Sequence, residues 1–161
     1  YTNLNTLSLH DALPIFPRID LQPVMSVRGR VTRVVYPAVG DGVSYGMTWR
    51  VPRNNIQVAT VPIGYADGLA RCLSNRMDVL TRGDRVRQVG NICMDQFMIA
   101  VDTAGTHANK PAHEIRYGDV VTLIGKDGDQ EITADEMADL RETINYEVVC
   151  NFGARLDKVY I

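Results

Sequence analysis

Short stretches in which apolar and polar residues alternate make up most of the chain from position 24 onward. The first of them, Val24–Tyr36, is rich in valine. A period of two residues is typical of a β-strand with one buried face, so the pattern predicts strands over Val24–Tyr36, Val43–Trp49 and Ile56–Ile63. Two polar segments separate these strands, the glycine-rich turn Pro37–Gly42 and the loop Arg50–Asn55.

The alternation continues through the middle of the chain. Asp78–Val89 contains two apolar stretches joined by Arg82-Gly83-Asp84, a connection short enough to be the turn of a β-hairpin. Two further strands are predicted, over Met94–Val101 and Val120–Ile124. Asp102–Pro111 is predicted to be a surface loop. Asp67–Arg76 could be either a short helix or an irregular loop.

One helix is expected near the C-terminal end. Thr133 and Glu136 have the spacing of a capping box, in which each side chain satisfies an exposed backbone amide. Apolar residues follow at helical spacing, at Met137, Leu140 and Ile144. Two closing strands are then expected, over Glu147–Asn151 and Val159–Ile161. Seven or more short strands with one short helix predict a mainly β fold, an antiparallel and barrel-like domain.

Composition narrows the classes of protein that this chain can belong to. Its 161 residues fit one domain, and the net charge of −2 gives no electrostatic reason to expect a nucleic acid or an anionic membrane as partner. No apolar run approaches the roughly 20 residues that span a bilayer. The cysteines are odd in number and form no ligand pattern with the histidines, which favours a reducing compartment and no metal. These residues are Cys72, Cys93, Cys150, His10, His107 and His113.

The first residues do not continue the β pattern. Residues 1–17 lack the basic start and the small-residue cleavage site of a signal peptide, and they look like translated adaptor sequence. A short amphipathic native extension is the alternative. We therefore expect a foreign or disordered N-terminal segment over residues 1–17 and a single domain over residues 18–161.

Three glycine-containing motifs carry the candidate chemistry. They are Val43-Ser44-Tyr45-Gly46, Gly64-Tyr65-Ala66-Asp67-Gly68 and Gly90-Asn91-Ile92-Cys93-Met94-Asp95-Gln96. Glycines beside a tyrosine let the backbone turn sharply, so the ring can stand at the end of a strand where a proton-transferring phenol would be useful. Each motif alone also fits an ordinary strand-end tyrosine or an acidic turn. Together and in this order, they resemble the C-terminal domain of alanine racemase, a family that interconverts L- and D-alanine with pyridoxal phosphate.

The resemblance implies a role for each motif residue. Tyr45 would be the tyrosine base that acts on one face of the substrate, opposite a lysine that also holds the cofactor. Tyr65 would form a wall of the active site or of the path by which substrate reaches it, and Met94 and Asp95 would line the substrate pocket. Tyr146 resembles the residue that hydrogen-bonds the cofactor phosphate. Simple packing is the alternative for Tyr65 and Tyr146, and Cys93 lacks a nearby histidine that would make it a nucleophile.

The lysine that holds pyridoxal phosphate in this family has no counterpart here. Lys110, Lys126 and Lys158 all lie outside the sequence setting in which the family carries it, and 161 residues leave no room for the roughly 200 or more of a (β/α)₈ barrel. The chain is therefore expected to be inactive alone. The resemblance further implies that it completes an active site in a homodimer, in the cytoplasm of a bacterium. Two alternatives remain, a broader amino-acid racemase acting on serine or lysine and a non-catalytic β-domain used as a binding module.

Overall fold

The computed structural model describes residues 22–104 and 114–160. Within these ranges the chain forms ten strands and two α-helices. The strands are β1 Val27–Arg30, β2 Arg33–Val35, β3 Gly42–Val43, β4 Trp49–Arg50, β5 Ile56–Val61, β6 Asp78–Thr81, β7 Asp84–Val89, β8 Phe97–Asp102, β9 Val120–Asp127 and β10 Gln130–Ile132. The helices are α1 Ala134–Arg141 and α2 Asn145–Asn151, and 3₁₀ turns cover Tyr45–Met47, Tyr65–Asp67 and Arg71–Leu73. The predicted segment 1–17 and most of the predicted loop Asp102–Pro111 lie outside the described residues.

Eight of these strands form one antiparallel sheet in the order β1-β9-β6-β7-β8-β5-β2, with β10 beside β9. The two edge strands, β1 and β2, are consecutive in the chain and are joined through residues 31 and 32. In the part of the chain that is described, no ladder of hydrogen bonds links them, so the barrel is not closed. The predicted mainly β, antiparallel fold is confirmed, and the barrel-like shape stops short of closure.

Apolar clusters cover both faces of the central strands. On β8, Phe97 is fully buried in the main core, whereas the next residue, Met98, packs into a second and smaller cluster on the other face. Val43 and Trp49 from strands β3 and β4 join the second cluster. These two strands pair with each other as a separate hairpin. The second cluster therefore fixes the hairpin that carries the Tyr45–Met47 turn.

The predicted helix is confirmed as α1, although only half of its capping box forms. The Glu136 amide donates to the Thr133 hydroxyl at 3.0 Å. The Glu136 carboxylate does not return to the Thr133 backbone, because it forms an ion pair with Arg85 on β7. Ile144, predicted on the buried face of this helix, lies beyond its end and is 48% exposed.

The predicted strand Glu147–Asn151 is wrong, because these residues belong to the second helix, α2. Glu142 ends α1 in the left-handed region, with φ at 56°, and the chain then turns into α2. Val148 is fully buried in the core while its neighbour Val149 is 39% exposed. Tertiary packing of Val148 against the core stabilises this short helix, so the β-branched residues do not impose a strand.

Three further predictions need adjustment. Val24–Tyr36 is divided into β1 and β2, and the 3₁₀ turn at Tyr45–Met47 interrupts the predicted strand Val43–Trp49. The predicted closing strand Val159–Ile161 does not form in its described part, where Val159 and Tyr160 have no regular structure and are 80% and 90% exposed. The hairpin predicted over Asp78–Val89 is confirmed as β6 and β7.

Candidate active site

Tyr45 stands on the tight turn that joins β3 to β4. Ser44 has a φ of 66°, in the left-handed region that few side-chain residues adopt, and Gly46 follows with a φ of 74°. This backbone path turns the Tyr45 ring away from the domain, and Tyr45 is 77% exposed. Among the described residues, no group forms a hydrogen bond to its hydroxyl. The phenol is therefore available to a molecule outside this domain.

A pair of hydrogen bonds fastens the Tyr45 turn to the loop that follows β7. The Ser44 hydroxyl donates to the Asn91 carbonyl at 2.6 Å, and the Asn91 side-chain amide donates to the Tyr45 carbonyl at 2.8 Å. The Cys93 sulfur lies 3.3 Å from the Ser44 hydroxyl. We call this group of residues, Ser44, Asn91 and Cys93, the turn latch. It holds the backbone at Tyr45 while leaving the ring free.

Tyr65 begins a 3₁₀ turn that packs against the Cys93–Met94 backbone. The Tyr65 amide donates to the Cys93 carbonyl, and the Ala66 amide donates to the Met94 carbonyl, each at 3.0 Å. A Cβ at Gly64 would lie 2.1 Å from the Met94 carbonyl oxygen, so only glycine allows this approach. The second and third sequence motifs are therefore joined backbone to backbone.

The three motifs meet around one open cleft of about 440 Å³. Four of the predicted site residues line it, namely Tyr45, Tyr65, Met94 and Asp95. Met94 is 52% exposed and Tyr65 is 44% exposed, so both present apolar surface at the rim. The structure thus brings together four residues that are up to 50 positions apart in the sequence.

Asp95 lines the cleft with its carboxylate already paired. One Asp95 oxygen accepts from Arg155 Nη2 at 2.6 Å, and Arg155 Nε lies 3.2 Å from Asp67. The hydrogen bond to Asp95, together with the negative charge of Asp67, raises the pKa of the Arg155 guanidinium. Asp95 therefore lines the cleft as predicted, but as part of an ion-paired group. Its position in the motif did not indicate the pairing with Arg155.

Tyr146 lies apart from this cleft. It lines a second, largely apolar cleft of about 420 Å³ between the start of β1, the β9–β10 hairpin and α2. The two clefts share no lining residue among those that the structure describes. Tyr146 is 42% exposed, and within the described chain its hydroxyl forms no hydrogen bond. Of the five predicted site residues, Tyr146 is the one that the fold does not bring to the others.

Sequence reasoning missed two basic residues near the first cleft. Arg71 lines it from the 3₁₀ turn Arg71–Leu73, within the segment Asp67–Arg76 for which the sequence left helix and loop both open. Arg155 reaches Asp95 from 60 positions away. No motif distinguishes either residue from the other scattered arginines, so only the folded arrangement reveals them.

The residues of the two clefts fit a non-covalent contact with pyridoxal phosphate but not its covalent attachment. The free Tyr146 hydroxyl can donate to a phosphate oxygen. Neither of the described lysines, Lys126 and Lys158, lines either cleft. A lysine that holds the cofactor would have to come from outside the described residues.

Metal-binding clusters and membrane-spanning helices are two other features that would indicate a function. Residues 22–104 and 114–160 contain no group of three or more His, Cys, Asp or Glu side chains placed to bind a metal ion. The helices in those ranges are also too short or too polar to cross a membrane.

Known proteins share both the sequence and the shape of this domain. The family model described as "Alanine racemase, C-terminal domain" matches residues 24–160. The alanine racemase of Cutibacterium acnes is 43% identical over 152 residues, which are 94% of this chain and 38% of the relative. The alanine racemase of a Nostoc species is 43% identical over 156 residues, which are 97% of this chain and 38% of that relative. The crystal structure of alanine racemase from Bacillus anthracis superimposes with a TM-score of 0.77 at 38% identity, covering 92% of this chain and 35% of that one.

The fold and the cleft together define an antiparallel β-domain that presents an exposed phenol beside a second tyrosine and a methionine loop. The chain belongs to the alanine racemase family, of which it represents the C-terminal domain. It spans about 38% of the length of the curated relatives described above.

Proposed function

We propose that this domain contributes Tyr45 as a proton-transferring base to an alanine racemase, which interconverts L- and D-alanine. The observation that carries the proposal is the exposed Tyr45 phenol, held by the turn latch at a cleft that Tyr65 and Met94 also line. Racemisation needs a group on each face of the substrate, one to remove the α-proton and one to return it. Tyr45 would serve one face through its hydroxyl oxygen, and a lysine from another domain would serve the other.

Pyridoxal phosphate, when bound, supplies the electron sink that makes the α-proton of an amino acid acidic. Tyr146 would donate its hydroxyl to the cofactor phosphate. Tyr65 and Met94 would exclude water around the substrate, because both place apolar surface at the rim of the cleft. The chain's own part in the reaction is thus to hold a phenol at a fixed place and to form one wall of the site.

The two separate clefts support a homodimer as the working form. Tyr45 and Tyr146 both belong to the proposed active site, yet their clefts share no described lining residue. This separation favours an arrangement in which one domain serves two active sites, with Tyr45 presented to the partner subunit and Tyr146 to its own. We further propose that the enzyme acts in the bacterial cytoplasm, where D-alanine is used for peptidoglycan precursors.

A chimera tests the proposal. The part of the Cutibacterium acnes alanine racemase that aligns with this domain is replaced by residues 22–161 of this chain, and racemisation of alanine, serine and lysine is measured. Activity with alanine above that with serine and lysine supports the proposal. The 161-residue chain alone, given pyridoxal phosphate, is expected to show no turnover above the free cofactor, because no described lysine lines its clefts. Turnover by the chain alone, or a folded, cofactor-loaded chimera without activity, contradicts it.

A further inference from the structure

Arg155 connects two loops of the Tyr45 cleft from a segment that has no regular secondary structure. It follows α2 and lies in the stretch that was expected to lead into a closing strand. Its Nε lies 3.2 Å from Asp67, and its Nη2 lies 2.6 Å from Asp95. One guanidinium group therefore bridges a residue of the Tyr65 turn and a residue of the Met94–Asp95 loop.

Asp67 is the buried member of this group. Its side chain is 6% exposed, and its second oxygen accepts from the Gly64 amide at 2.8 Å. A carboxylate removed from water is destabilised unless hydrogen bonds and an opposite charge compensate it. Arg155 supplies that charge to Asp67, which in turn fixes the start of the Tyr65 turn through Gly64.

The planar guanidinium suits this geometry because its donors diverge at fixed angles and can serve two carboxylates at once. A lysine ammonium on a flexible stem cannot hold both partners in the same fixed arrangement. The two loops already share the backbone hydrogen bonds from Tyr65 and Ala66 to Cys93 and Met94. Arg155 adds a charged connection on the side of the cleft where Asp95 lies.

We propose that Arg155 is a positioning residue that fastens the Tyr65 turn to the Met94–Asp95 loop and thereby fixes the substrate wall of the cleft. The consequence for substrate rests on the proposed function, whereas the fastening of the two loops can be tested without it. Arg155 itself need not touch the substrate.

The first experiment measures amide hydrogen exchange at Tyr65 and Ala66 in the 161-residue chain. Arg155→Leu is expected to reduce their protection by about threefold to tenfold, because it removes two ion pairs whose shared guanidinium is 54% exposed and is therefore partly screened by water. Arg155→Lys should retain only part of it. Salt should weaken protection in the unchanged chain but not in Arg155→Leu, because salt screens partly exposed charges. Arg87→Leu is the matched control, since Arg87 is also 54% exposed and pairs with Asp78 at 2.9 Å on the β6–β7 hairpin.

The second experiment measures steady-state kinetics in the Cutibacterium chimera. Arg155→Leu is expected to raise KM for alanine by about threefold to tenfold, with a smaller change in kcat, because it loosens a binding wall and leaves Tyr45 in place. Asp95→Asn, which removes only a charge, should raise KM in the same way. In the Arg155→Leu, Asp95→Asn double variant the two effects should not add, since they break the same pair.

The outcomes distinguish the fastening of the two loops by Arg155 from its effect on substrate binding and from the proposed function. Unchanged protection at Tyr65 and Ala66 in Arg155→Leu overturns the proposal, and so does an effect of equal size in Arg87→Leu. Reduced protection with an unchanged KM overturns the role in substrate binding. An inactive but folded parent chimera contradicts the proposed function instead, and the exchange measurement still decides whether Arg155 fastens the loops.

Discussion

The Tyr45 hydroxyl is the atom through which this domain would take part in proton transfer. Tyr45→Phe keeps the ring and removes only that oxygen. In the chimera we expect alanine racemisation to fall by about 10²–10⁴-fold, the usual contribution of a positioned acid or base. The loss should be larger when the proton is abstracted from L-alanine. Isotope exchange and initial rates in both directions measure it.

Tyr117→Phe is a suitable control for this substitution. Tyr117 is 80% exposed and also precedes a glycine in a turn, but it lies outside both clefts. It should leave the rate and the unfolding midpoint unchanged. Equal and small losses in both directions for Tyr45→Phe would mean that the Tyr45 ring only positions substrate.

Asn91 offers a test of the turn latch that leaves the Tyr45 ring intact. Asn91→Asp replaces the amide that donates to the Tyr45 carbonyl with an oxygen that repels it. We expect kcat in the chimera to fall by about tenfold while KM changes less, because the phenol loses its fixed position. Thr103→Val is the control, since it removes a hydroxyl bonded to the Asn55 carbonyl, and neither residue lines either cleft. A change confined to KM would show that Asn91 acts on substrate binding instead.

Among single residues, the sequence predicted those whose chemistry is carried by local motifs. Tyr45, Tyr65 and Met94 stand in short glycine-containing strings, and the fold brings all three to one cleft. Arg155 could not be predicted in this way. Arg155 and Asp95 are 60 positions apart in the sequence. Their side chains meet only because the segment after α2 returns to the cleft, and no local motif indicates that path.

At the scale of elements, the close packing of the Tyr65 turn on the Met94 loop gives a stability prediction. Gly64→Ala would place a methyl group 2.1 Å from the Met94 carbonyl oxygen, so the two loops must separate. We expect a loss of about 1–3 kcal/mol in the free energy of unfolding, the range for overpacking a tight contact. Urea unfolding of the 161-residue chain measures it.

Gly153→Ala provides the comparison, because its added methyl group would come no closer than 3.9 Å to the nearest atom. It should change the free energy of unfolding by less than about 0.5 kcal/mol, as most surface substitutions do. If both alanine variants were equally stable, the close approach at Gly64 would not hold the two loops together.

The sequence identified most of the strands of the sheet, but it assigned the wrong type of element to α2 and missed one turn. The β6–β7 hairpin formed where its turn residues indicated. In contrast, the valines of α2 resembled a strand because β-branched residues suit a pleated surface. Their real environment is a helix that buries Val148 against the core and exposes Val149, and this choice depends on tertiary packing. The turn at Tyr45–Met47 was missed for a related reason, since Ser44 adopts a backbone conformation that serine rarely takes.

At the scale of the whole molecule, the exposed residues around the first cleft form an apolar surface that we expect another domain to cover. Tyr45, Met47, Tyr65 and Met94 are between 44% and 77% exposed. Apolar surface of this kind drives association when its partner is missing. We therefore expect the isolated domain to self-associate in a concentration-dependent way, and light scattering over a dilution series measures this.

The contribution of the cleft to self-association can be separated from that of the rest of the surface. Tyr45→Ser with Met94→Ser should shift association to higher concentration, because both changes remove apolar area from the cleft rim. Tyr117→Ser with Tyr160→Ser removes two rings that are 80% and 90% exposed elsewhere, and it should have little effect.

Chains that lack residues 1–17 should behave like the full 161 residues, which excludes that segment as the cause. The N-terminal part of the Cutibacterium enzyme, added in trans, should compete with association because it covers the same surface. A monomer at high concentration that is indifferent to this addition would instead favour a self-sufficient β-domain, and with it the binding-module alternative.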